Sequence, residues 1–225
     1  LLMGYAGQIS LGHAGFFATG GYTIAVLTTY NLSSYSKTPV VESLRSLGLL
    51  VSWQDLYGHE ILSFSPWPAF LAAVLLTALI ALAIGLPVIR LKGHYLAMAT
   101  LGFGLIIYRI VLGAKIFGQA DGISGVPPFH LLGDLQINGR PPFRIQNYYI
   151  AWAAVLAAMV LALNLVHSRV GRALRSIHEN EEAAHSLGID TYRYKLATFV
   201  LSAVLAAIGG AMLTHYNGSI GPSEV

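Results

Sequence analysis

Residues 66–89 read PWPAFLAAVLLTALIALAIGLPVI. None of these 24 residues is charged, and as a helix they extend about 36 Å, enough to cross a hydrocarbon core of about 30 Å. The rest of the chain agrees. Its 225 residues are 55% hydrophobic and 10% charged, where a soluble domain carries about 25% charged residues. Mean hydropathy is +0.64. Unbroken apolar runs without alternation imply helices rather than a barrel, because every backbone group in lipid needs a partner in its own segment. The expected fold is therefore all-α, a polytopic membrane helical bundle with broken helices.

Working outward, five spans are expected: Leu11–Tyr30, Pro66–Ile89, Tyr95–Phe117, Tyr148–Val166 and Leu196–Leu213. Basic residues set the orientation. Arg90, Lys92, Arg169, Arg172, Arg175, Arg193 and Lys195 fall in the segments Arg90–His94 and Arg169–Lys195, which alternation puts on one side. The much longer loops of the other side, Tyr30–Ser65 and Gly118–Asn147, hold only Lys37, Arg45, Arg140 and Arg144. The first side is expected to be cytoplasmic. Trp67, Trp152, Tyr30, Tyr148 and Tyr149 fall where an outer aromatic belt belongs, and the two outer loops are read as ordered caps, with direct ligand contacts as the alternative. The chain opens at Leu1 in mid-segment and is expected to be a fragment, a single permease domain over 1–225.

Between the last two spans lies GRALRSIHENEEAAHSLGIDTYRYK, residues 171–195. Leu174, Ile177, Ala184 and Leu187 recur at helical spacing, so one amphipathic helix is expected over about 172–188. Gly188 is a plausible stop, and Asp190 can cap the helix that re-enters the membrane. A polar helix pinned to a membrane face at both ends suits the docking of a soluble partner. A solvated helix without a partner is the plain alternative. A metal site is a third reading, since His178, Glu181, Glu182 and His185 would share a face.

The opening stretch, GYAGQISLGHAGFFATGGY (4–22), places six glycines in the first 21 residues, with Gln8, Ser10 and His13 among them. Glycine weakens a helix by about 1 kcal/mol relative to alanine, and polar side chains facing lipid are costly. A broken helix lining a hydrated path accounts for both, and tight packing of small residues is the alternative. Thr100, Gly102 and Gly104 are candidates for a bend lining the same path. Arg109 is either part of that path or an arginine snorkelling to the interface. Ser202, Ala206 and Gly210 form a small-xxx-small ladder expected to pack against a helix. Asn164 is expected to bond between helices.

Several functions are excluded. The chain has no cysteine, hence no disulfide framework, cysteine-ligated metal or thiol chemistry. It has no GxxxxGK[ST] phosphate loop and no nucleophile–base–acid set, so it is not an ATPase. Its net charge of +3 does not suggest nucleic acid. No cofactor is expected.

GYAGQISLGHAGFFATGGY, HYLAMATLGFG, DGISGVP and the stretch from Gly171 to Met212 together resemble the branched-chain amino acid ABC importer permease family, and within it the LivM-type subunit. The resemblance covers nearly the whole chain except residues 31–65. It implies a multi-pass subunit of the bacterial inner membrane working by alternating access. Its implied partners are a homologous permease subunit, two ATP-binding subunits and an extracytoplasmic solute-binding protein. The family's coupling motif falls on Glu182, Ala183, Ala184 and Gly188, with Arg172 and Arg175 on the same segment. Leu105 stands where members often carry an acidic residue. Urea or short-chain amide import is the alternative within the family; an ungated channel and an intramembrane metal enzyme are the rivals outside it.

Overall fold

The computed structural model describes residues 2–33, 41, 42, 45, 48–54, 60–91, 93–132 and 134–224; Lys37 and Lys92 lie outside them. A short helix α1 (Leu2–Ala6) is followed by α2 (His13–Thr29). The hairpin strands β1 (Leu50–Gln54) and β2 (Glu60–Phe64) lead into α3 (Pro66–Val88) and α4 (His94–Gly113). Next come short strands β3 (Ile123–Ser124), β4 (Phe129–Leu132) and β5 (Leu135–Ile137), then α5 (Arg144–His167). Helices α6 (Arg169–Glu179) and α7 (Glu181–Ser186) precede the long α8 (Thr191–Asn217) and strand β6 (Ser219–Ile220).

Among the described residues, four helices are long and apolar enough to cross a membrane, namely α3, α4, α5 with the turn before it, and α8. The chain is a multi-pass membrane protein with an all-α membrane bundle. The expected first span differs: α2 has 17 residues, about 25 Å, which falls short of the hydrocarbon core. The third span ends at Gly113, so Lys115 sits beyond it in a 3-10 turn. The last span begins at Thr191, because Asp190 caps it by accepting from the Arg193 backbone N–H at 3.1 Å.

The core is the seam between α2 and α8, and small residues make it. A Cβ on Gly20 would lie 2.5 Å from the Ala207 carbonyl oxygen, and one on Gly210 only 2.1 Å from that of Phe17. Lipid gives helices no hydrophobic reason to associate, so close backbone approach has to. The expected ladder is therefore present but rotated: Ala203, Ala207, Gly210, Ala211 and Thr214 are buried, whereas Ser202 and Ala206 are only partly covered. Helix α3 joins through a stripe at every fourth residue, Ala69, Ala73, Thr77, Ala81 and Gly85, all buried. Its leucines face outward. Phe16 of α2 fills the remaining space against Phe103 and Phe199, with centroids 4.8 and 5.5 Å away.

The two ends differ in character. At one, Tyr192 Oη donates to the Leu86 carbonyl at 2.8 Å and Arg90 lies over the Tyr192 ring, so the Arg90 turn meets the start of α8 and the basic loop. At the other, Trp67 Nε1 donates to the His130 carbonyl at 3.0 Å, and β3 pairs with β6. The loop before α5 thus folds into short strands over the end of α8. Asn164 of α5 is exposed, and no hydrogen bond holds it among the described residues. That departs from expectation, because the side of α5 it occupies meets no other helix.

Candidate functional site

The glycine-rich opening is broken between α1 and α2. Gly7 takes φ +63°, a left-handed conformation that only glycine adopts without strain. Leu11 N–H, freed by the break, donates to Thr100 Oγ1 of α4 at 3.0 Å. A Cβ on Gly12 would lie 2.8 Å from the Thr100 carbonyl oxygen, and one on Gly15 3.1 Å from Gly104 Cα. Gln8, Ser10, His13 and Thr100, chosen from sequence for different reasons, therefore gather at one place. It lies about 9 Å, six helical residues, inside the start of α4.

This place is polar and incompletely paired. Gln8 is buried, and both of its amide atoms lack a hydrogen-bond partner among the described residues; so does the buried Ser10 hydroxyl. The half-buried His13 ring lies near the Ser10 backbone. The start of α2 has no side-chain cap, leaving its first N–H groups open. Leaving such groups unpaired costs about 1–3 kcal/mol each, so they call for water or a polar guest.

Two other candidates do not join them. Helix α4 runs unbroken through Gly102 and Gly104, so no interruption occurs there, and a Cβ on Gly102 would meet open space. Arg109 is exposed beside Leu105 and Ile106. It lies nine residues from Thr100, about 180° around the helix, and therefore points away from the break.

In the basic loop the single expected helix is two. Asn180 separates them with φ −155° and caps α7, its Oδ1 accepting from the Glu182 and Ala183 N–H groups. An asparagine followed by two glutamates is a helix start, and that signal outweighs continuous amphipathicity. Leu174, Ile177 and Ala184 are buried as expected, but Leu187 is 80% exposed. Glu182, Ala183, Leu187 and Gly188 together form an exposed tip; Ala184 faces inward. Gly188, at φ +83°, closes α7 as expected. The four grouped acidic and histidine residues separate: Glu181 pairs with Lys195 at 2.7 Å. Among the described residues no three His, Asp or Glu side chains converge as metal ligands would.

Helix α6 reaches from this tip to the break. Arg175 lies over the Tyr5 ring of α1, 5.5 Å from its centroid. A Cβ on Gly7 would stand 2.7 Å from His178 Nδ1. Arg172 is exposed beside them. The His178–Gly7 contact was missed from sequence, where His178 entered only as a candidate metal ligand. Also missed was His215, buried in α8 with Nε2 lacking a partner among the described residues; a histidine inside an apolar run was the available signal.

The model of a family described as branched-chain amino acid transport system, permease component, matches residues 1–225. The chain is 30% identical to LivM, the high-affinity branched-chain amino acid transport system permease protein of Escherichia coli K12; all of this chain and 50% of that protein align. It is 28% identical to the nucleoside ABC transporter permease protein NupC of Lactococcus lactis, over 67% of this chain and 49% of that one. LivH of E. coli K12 is 38% identical over 32% of this chain and 24% of its own length. The chain spans about half the length of the curated relatives it matches across its whole length. No solved structure matches it.

Proposed function

Because the chain belongs to the branched-chain amino acid transport permease family, we infer that it is the membrane subunit of an ATP-driven importer of branched-chain, hydrophobic amino acids. It works in the bacterial inner membrane with a homologous permease subunit, two ATP-binding subunits and an extracytoplasmic solute-binding protein. ATP is hydrolysed on the partner subunits, and this chain moves the solute by alternating access.

The observation that carries the reading is the contact chain from α7 through α6 to the broken helix. The exposed tip of Glu182, Ala183, Leu187 and Gly188, together with the exposed Arg172 at the start of α6, is the surface an ATP-binding subunit grips. Movement there passes through Arg175 to Tyr5 and through His178 to Gly7, where α1 ends and the path opens. Gln8, Ser10, His13 and Thr100 line that path, bordered by Gly104 where Gly15 meets it. The basic end is cytoplasmic in this scheme, as the excess of lysine and arginine favours.

The test is the assembled transporter in vesicles. Leu187→Glu and Gly188→Val are expected to abolish leucine uptake and release the ATP-binding subunits while leaving the chain in the membrane. Unchanged uptake and co-purification in both variants would remove the coupling assignment. The nucleoside permease relative supports one second reading, a nucleoside importer; uptake of labelled leucine measured against uptake of labelled uridine decides between them.

A further inference from the structure

At the end opposite the basic loop lies a second cavity that the coupling scheme does not use. It holds about 490 Å³ and is bordered by Val126, Pro128, Asn138, Arg140, His215 and Asn217, among others. That volume lies in the range of small-molecule sites and accommodates a single amino acid.

Its chemistry is unusual for this chain. His215 is only 2% exposed, near the end of the membrane-spanning helix α8. Its Nδ1 bonds the Pro127 carbonyl at 2.7 Å. A carbonyl can only accept, so Nδ1 carries the proton and Nε2 is left as an acceptor. That Nε2 is buried and has no partner among the described residues. The ring is held in place by stacking on Phe129, 5.1 Å away and tilted by 18°. Arg140, on the rim of the same cavity, is exposed and makes no ion pair among the described residues. One cavity is therefore bordered by a ring whose buried Nε2 lacks a partner among the described residues and by a guanidinium without an ion pair on its rim, with Val126 and Pro128 as apolar wall.

We propose that this cavity is an entry site for a free α-amino acid, whose carboxylate pairs with Arg140 and whose ammonium donates to His215 Nε2. A zwitterion satisfies both groups at once. A simple anion would leave Nε2 unpaired, and a simple amine would leave Arg140 unpaired. The site rests on the importer reading above and adds where, and by which charges, the solute is first received within the membrane subunit.

The absence of cysteine gives a clean test. Asn217→Cys on the cavity rim is labelled with N-ethylmaleimide in the transporter assembled with its partner subunits in nanodiscs, without solute-binding protein. Leucine at ten times its Kd is expected to slow labelling about elevenfold. Isopentylamine, which lacks the carboxylate, and 4-methylpentanoate, which lacks the ammonium, are expected to protect at least tenfold less well. Arg140→Gln is expected to lose the protection by leucine, and Arg140→Lys to restore part of it. His215→Phe, which keeps a ring on Phe129, is expected to behave like Arg140→Gln. No protection by leucine, equal protection by either truncated analogue, or full protection in Arg140→Gln would overturn the site. Leucine uptake by the cysteine variant with binding protein present is measured in parallel. Uptake without protection sinks this site alone, whereas absent uptake sinks the importer reading beneath it.

Discussion

Helices α5 and α8 are both long and apolar, of 24 and 27 residues, yet they are packed in opposite ways. Along α8 nine residues are buried, most of them alanine, glycine or threonine. Along α5 only Asn147 and Val166 are, one near each end. Between the two helices runs an open apolar groove of about 1000 Å³, bordered by Ala154, Ala158, Leu161, Ile208 and Met212. In lipid, apolarity alone does not bring helices together; a face of small residues does. Helix α8 keeps its small residues on one stripe against α2, whereas the outward side of α5 carries Val155, Leu156, Met159 and Val160.

That contrast can be broken most sharply at the α2–α8 seam. Gly20→Leu would drive a side chain into the Ala207 backbone, 2.5 Å from where its Cβ must go. A loss of about 3 kcal/mol is expected, read as a collapse of folded protein in detergent-unfolding curves. Thr100→Val should come next. It removes the acceptor for Leu11 N–H and costs about 2 kcal/mol, with leucine uptake falling more than expression. Gly7→Ala forces alanine into a left-handed conformation against His178, at about 1 kcal/mol. Its signature is ATPase activity that persists while uptake falls. Lys195→Met breaks the pair with Glu181 and is expected to lower stability by less than about 1 kcal/mol. The control is Leu156→Ala on α5, at a residue 53% exposed, expected within about 0.5 kcal/mol of wild type. A larger loss in the isolated chain would mean that α5 is packed after all.

Much of the architecture could be read from apolar runs, because span length is set by the bilayer and needs no knowledge of packing. The break after Gly7 was also legible: glycine and buried polar residues in one short stretch leave a helix few ways to continue. What escaped was facing. Pro66–Ile89 is apolar on every side, so nothing in hydrophobicity distinguishes its Ala69–Gly85 stripe from its leucines; residue size alone does. Arg109 lay within reach of both readings until the helix phase set it opposite Thr100. In the basic loop the apolar period ran straight through Asn180, and the local start signal of Asn-Glu-Glu was outvoted on paper though not in the fold. The candidate site was partly legible for the same reason: residues of the break are neighbours in sequence, whereas the His215 cavity joins segments about 75 residues apart.

Asn180 leaves the basic loop as an articulated joint rather than a rod. On one side of it α7 is tethered to α8 by Glu181 and Lys195; on the other, α6 leans on α1 through Arg175 and Tyr5. A rod would turn both attachments through one angle. Under the coupling proposed above, two helices meeting at Asn180 need not pass the same displacement to α8 and to α1.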